Sequence, residues 1–130
     1  VLAFPLVEEF GFRLWLQSPL ERHLGRAGAV AAVALLFASS HGTELPLSQF
    51  LGACLYGATL IATGSIWAPV AMHAFQNATL VALDRVPAIG EWAIATAEAS
   101  PGWLLPGALT AWAVAAGVAF LWLRGMPRPS

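Results

Sequence analysis

Glu8-Glu9-Phe10-Gly11-Phe12-Arg13 places two adjacent carboxylates and an arginine inside a run, Val1 to Leu16, that is otherwise apolar. In a membrane helix each such charge costs about 2.5–3.5 kcal/mol, so three together need a reason. Glu9 and Arg13 are four residues apart, share one helical face and are spaced to pair. Glu8 lies about 100° round the helix, without that partner. Two readings are open at this point. One is a structural ion pair that holds helices together. The other is a base, Glu8, held in a dry site whose surroundings are fixed by the Glu9–Arg13 pair.

The composition sets the environment. The chain has 130 residues, 58% hydrophobic and only 10% charged, with mean hydropathy +0.72. A soluble domain usually carries about 25% charged residues. No Asp, Glu, Lys or Arg occurs from Leu45 to Leu83, or again from Ala99 to Leu123. Runs of this length suit membrane spans of about 20 residues. The expected fold is therefore all-α, a polytopic helical membrane protein with about five segments in one domain, residues 1–130. The net charge of −1 and the lack of a basic patch give no sign of a nucleic-acid partner. Cys54 is the sole cysteine, which excludes a disulfide or a cysteine-rich metal site. No signal peptide is visible. The chain opens on Val1, without Met and already in an apolar segment, so it reads as the C-terminal part of a longer protein.

Segment one is expected from about Val1 to Gln17. Ser18-Pro19-Leu20-Glu21 has a capping-box pattern with Pro at N1, predicting a short interfacial helix to Leu24, closed by Gly25. Segment two runs from about Ala27 to His41. Segment three starts at Pro46 and reaches about Thr63; its Ala53 and Gly57 form a small-xxx-small face for close helix approach. Gly64-Ser65 breaks the run, and segment four covers about Ile66 to Leu83, with Pro69 in its first turn. Residues 84–102 read as an extramembrane loop with a helical piece from Ile89 to Ala97. Segment five spans about Trp103 to Leu123, followed by a frayed tail, 124–130. Trp103 and Trp122 are about 28 Å apart on a helix, matching the two faces of a hydrocarbon core.

The basic residues Arg22 and Arg26 with Glu21, and the tail's Arg124 and Arg128, fall on one side of a five-segment chain. The acidic Asp84–Pro101 stretch falls opposite. The positive-inside rule makes the 18–26 connection and the C-terminus cytoplasmic, in what reads as a bacterial plasma membrane. On straight segments, Glu8 and His73 lie roughly 14 and 10 Å from the cytoplasmic end and His41 roughly 21 Å. His41 then joins them only if segment two tilts or begins nearer the centre.

The apolar segments also carry His41, His73 and Asn77, the last two at i and i+4 on one face. Singly, each is ordinary packing or interhelical glue. Three segments that each bring ionisable or amide groups favour a functional site. The types suit amide hydrolysis. A glutamate in low dielectric takes a proton from water, a histidine orients that water, and a second His with an Asn amide donates to an oxyanion. Glu8, His41 and His73 are also a donor set that zinc accepts, though His-Glu-x-x-His is absent. Ser39, Ser40 and Ser65 lack a serine-protease elbow.

Glu8-Glu9-x-x-x-Arg13, Phe37-x-x-x-His41 and His73-x-x-x-Asn77 resemble the three motifs of the CPBP family, the CAAX-prenyl-protease-like and bacteriocin-processing (Abi) intramembrane proteases. The Thr63–Pro69 lead-in is similar too. The resemblance spans about Val1 to Leu83. It implies that Glu8 with His41 activates water, that His73 and Asn77 stabilise the oxyanion, and that Glu9 and Arg13 support the site. It implies a peptide or prenylated protein as substrate in the lipid bilayer. No cofactor is required in the favoured reading; a divalent metal, zinc on Glu8, His41 and His73, is the alternative. The rival functions are a non-enzymatic bacteriocin-immunity or scaffold protein with a structural polar core and, more remotely, a small-solute transporter.

Overall fold

The computed structural model describes residues 3–41 and 46–99, with residues 102 and 125. Every regular element among them is helical. Helix α1 (Ala3–Glu9) continues into a π-helical stretch, Phe10–Gln17, and on into α2 (Ser18–Ser40). Helices α3 (Pro46–Thr63), α4 (Trp67–Arg85) and α5 (Pro87–Ala99) follow. The fifth segment expected at Trp103–Leu123, and the tail after it apart from Gly125, lie outside the described residues. So does the connection 42–45.

The helix does not restart at Ser18 as the capping-box pattern predicts. Ser18 has helical dihedrals, and its backbone N–H and hydroxyl both donate back to the Arg13 carbonyl. Pro19 supplies the reason. A proline in a helix crowds the carbonyl four residues before it and donates no N–H. The wider π turn just upstream accommodates both defects. Segment one is therefore longer than Gln17 and runs through Leu24.

Gly25 is the true break. Its φ of +70° and ψ of 169° are open to glycine and strained for other residues. The chain folds back there. Glu8 meets His41, and the Phe12 and Phe37 rings lie 5.2 Å apart edge to face. Both pairs are centred on residues 24–25, the signature of an antiparallel hairpin. The extra turns answer the depth problem, because Glu8 stands seventeen residues before Gly25 and His41 sixteen after it.

The second arm of α2 packs on α3. Ala27 and Val30 meet Cys54, Ala58 and Ile61, while Ala34 and Phe37 meet Ala53, Phe12 and Phe50. The small face of α3 is used as expected. A Cβ added at Gly57 would stand 2.7 Å from Gln17 Oε1 and 3.1 Å from a Val30 methyl. Gly64, at φ +65°, ends α3 with its N–H on the Leu60 carbonyl. Helix α4 starts one turn later, with Pro69 where no N–H is missed. Within the described part of the stretch read as a loop, α4 reaches Arg85 and α5 spans Pro87–Ala99, longer at both ends than the helical piece expected from Ile89 to Ala97.

The polarity is inverted relative to a water-soluble core. Glu9, Arg13 and Gln17 are fully buried, while Trp15, Phe75 and Phe4 are 81%, 75% and 74% exposed. A surface of large apolar side chains around a charged interior suits lipid contact. By length and composition Ala3–Ser40 is apolar enough to cross a membrane, and Leu47–Thr63 is a shorter apolar helix. Helix α4 is diluted by His73, Gln76, Asn77, Asp84 and Arg85. The chain is an all-helical membrane protein.

Candidate active site

Glu9 is the buried anchor. Its Oε2 accepts from Arg13 Nε at 2.9 Å, and its Oε1 lies 2.9 Å from His73 Nδ1. A carboxylate only accepts, so the proton of that bond sits on Nδ1. The expected Glu9–Arg13 pair is present, and Glu9 also sets the ring of His73, a contact the i+4 spacing did not reveal.

From Arg13 a ladder continues down the same helix. Arg13 Nη1 approaches Gln17 Oε1 at 3.4 Å. Gln17 Nε2 donates to Glu21 Oε1 at 3.1 Å and to the Gly57 carbonyl at 3.2 Å. The fourfold spacing of 9, 13, 17 and 21 makes Gln17 findable from sequence as a member of that face.

Glu8 looks the other way. Its Oε1 is 3.5 Å from His41 Nε2, and its Oε2 is 3.6 Å from His73 Nε2. Each gap exceeds a direct hydrogen bond, the range in which a water bridges two polar groups. His41 Nδ1 lies 2.8 Å from the Phe37 carbonyl, which only accepts, so that nitrogen carries a proton. Its ring stacks on Phe37 at 4.1 Å. His73 is flanked by Phe37 edge-on and by Tyr56 stacked at 4.9 Å.

Glu8, His41, His73 and Asn77 line one cavity of about 400 Å³. All four predicted positions meet, brought by α1, the end of α2, and α4. Gln49 and Gln76 complete the polar wall, and Phe4, Leu80 and Val81 the apolar one. Sequence reasoning did not single out Gln49, Tyr56 or Gln76. Gln76 adjoins Asn77 and was legible there; Tyr56 stood alone in an apolar helix and gave no signal.

The model of the type II CAAX prenyl endopeptidase Rce1-like family matches residues 1–79, which contain every motif above. The chain belongs to the Rce1-like family. No curated protein and no solved structure matches it. The Rce1-like match bears out the CPBP resemblance and places the chain, at family level, among CAAX-type intramembrane proteases. Its C-terminal part, from residue 80 onward, is outside the match.

Proposed function

We propose that this Rce1-like chain is an intramembrane endopeptidase that hydrolyses a peptide bond of a prenylated or otherwise membrane-anchored substrate. The observation that carries the reading is Glu8, whose two oxygens each face an imidazole Nε2 at the cavity wall. A water between Glu8 and His41 is oriented by both. It attacks the scissile carbonyl carbon as Glu8 takes its proton. The carbonyl oxygen becomes an oxyanion, held by the Asn77 amide and by His73 in its imidazolium form, whose Nδ1–H is kept by Glu9 and whose Nε2–H faces the cavity. The C–N bond then breaks, and the proton on Glu8 passes to the leaving amine. Glu9 keeps the His73 ring in place, and Arg13 balances its charge. The apolar wall of Phe4, Leu80 and Val81 suits a lipid-like or apolar part of the substrate.

Two imidazoles and a carboxylate are donors that zinc accepts. Glu8, however, spans the two rings through different oxygens. Among the described residues no three His, Cys, Asp or Glu side chains are gathered to hold a metal ion. The orientation read from the basic residues, with 18–26 on the cytoplasmic side of a bacterial plasma membrane, belongs to the same proposal.

The test uses purified protein and a quenched fluorogenic peptide with a farnesylated CAAX-type terminus. Cleavage that is lost in Glu8→Gln and survives exhaustive chelation supports the proposal. Cleavage equal in wild type and Glu8→Gln overturns it. One equivalent of zinc, lost with activity in Glu8 and His73 variants, would replace the metal-free mechanism.

A further inference from the structure

The cavity wall holds amides beside the one the reaction uses. Gln76 lines the cavity one residue before Asn77. Its Oε1 accepts a hydrogen bond from the Tyr56 hydroxyl. With the oxygen held in this way, the amide has its Nε2 protons left to offer. Tyr56 is buried, and its ring lies on His73, nearly parallel at 17°. Gly52 backs the pair: a Cβ there would touch Gln76 Oε1 at 3.7 Å and the Tyr56 hydroxyl at 3.8 Å. One tyrosine thus fixes both the plane of His73 and the orientation of Gln76. This part-buried hydrogen bond turns the amide at the cavity wall and leaves its Nε2 face without a protein partner among the described residues.

We infer that Gln76 is a substrate-binding residue whose Nε2–H donates to a main-chain carbonyl of the peptide next to the scissile bond, and that Tyr56 is its positioning residue. The inference rests on the peptidase reading. A peptide held in extended form offers unpaired carbonyls at regular spacing, and each one buried without a donor weakens binding. Side-chain recognition would not need a donor beside the oxyanion site; main-chain recognition does. The substrate's backbone is therefore read next to the cleaved bond whatever its side chains are.

The experiment measures kcat and KM for the full chain on the same farnesylated fluorogenic peptide. Gln76→Met keeps length and removes the donor; it should raise KM about tenfold and leave kcat within about twofold. Tyr56→Phe keeps the stack on His73 but frees the amide, and should raise KM about threefold. The double variant should be no worse than Gln76→Met alone, because Tyr56 acts through Gln76. An unchanged KM in Gln76→Met, or effects that multiply in the double variant, overturns the inference. So does a fall in kcat and melting temperature together with no change in KM, the mark of a packing role. If wild type and Glu8→Gln are equally inactive, the peptidase reading fails and takes the inference with it. If Glu8→Gln alone is dead and Gln76→Met behaves as wild type, only the inference fails.

Discussion

Glu9 is sealed, with Arg13 on one oxygen and His73 on the other. Glu8, its chain neighbour, keeps 25% of its side chain open and meets two imidazoles beyond hydrogen-bond range. The ladder that begins at Glu9 runs inside the protein and is paired along the helix, with Arg13 Nη2 left without a hydrogen-bond partner among the described residues; the wall that begins at Glu8 faces a cavity. A carboxylate with both oxygens met by side chains leaves little room for a water, and one with loosely met oxygens has that room. The difference comes from one step of 100° round a helix. Adjacent identical residues can therefore divide structure and chemistry between them.

Breaking the wall should affect rate and spare the fold. Glu8→Gln keeps shape and removes the proposed base, so hydrolysis should fall by about 10²–10⁴ or more, the usual scale of general-base catalysis. Its yield and detergent melting temperature should match wild type. A destabilised Glu8→Gln would erase the contrast with Glu9. Arg13→Ala strikes the ladder and should do the reverse. It strands a buried carboxylate, a loss of about 3–5 kcal/mol, read as low folded yield and an earlier thermal transition. Normal stability would mean the ladder is not what holds the helices.

Smaller effects sharpen the boundary. Asn77→Ala removes one proposed oxyanion donor and should cost about 10²–10³ in kcat without loss of yield. Gly57→Ala pushes a methyl onto Gln17 Oε1 and Val30 and should cost about 1–3 kcal/mol of stability. Its activity per folded molecule should stay near wild type, since the clash lies at the ladder's far end. Arg85→Ala removes an exposed pair with Asp84 and should leave yield and rate unchanged in the same assays.

Much of this division was legible in the residues. The i+4 spacing gave Glu9–Arg13, and three motifs on three helices gave the groups that meet at the cavity. Gly25, Gly64 and Pro46 marked breaks and starts because their backbone chemistry is local. The depth of His41 was misjudged for a local reason too. Ser18-Pro19 reads as a helix start, but a π turn upstream absorbs the proline, so the first arm is longer than the pattern suggests. The tertiary contacts of Glu9 with His73, and of Tyr56 with His73 and Gln76, join residues 64, 17 and 20 apart. No periodicity within one helix encodes those.

Glu9, Arg13, Gln17 and Glu21 bond in sequence along one helical stretch, which bears on the order of assembly. A charge that finds its counter-charge four residues away does not wait for another helix to arrive. The first arm enters the bilayer with Glu9 and Arg13 already matched, so that of its three charges there only Glu8 goes in without a counter-charge. What then remains for later helices is selective: α3 brings the Gly57 carbonyl, and α4 brings His73 to the one oxygen of Glu9 that Arg13 leaves open. The same spacing that stabilises the finished protein makes its most polar segment the one least dependent on its partners for insertion.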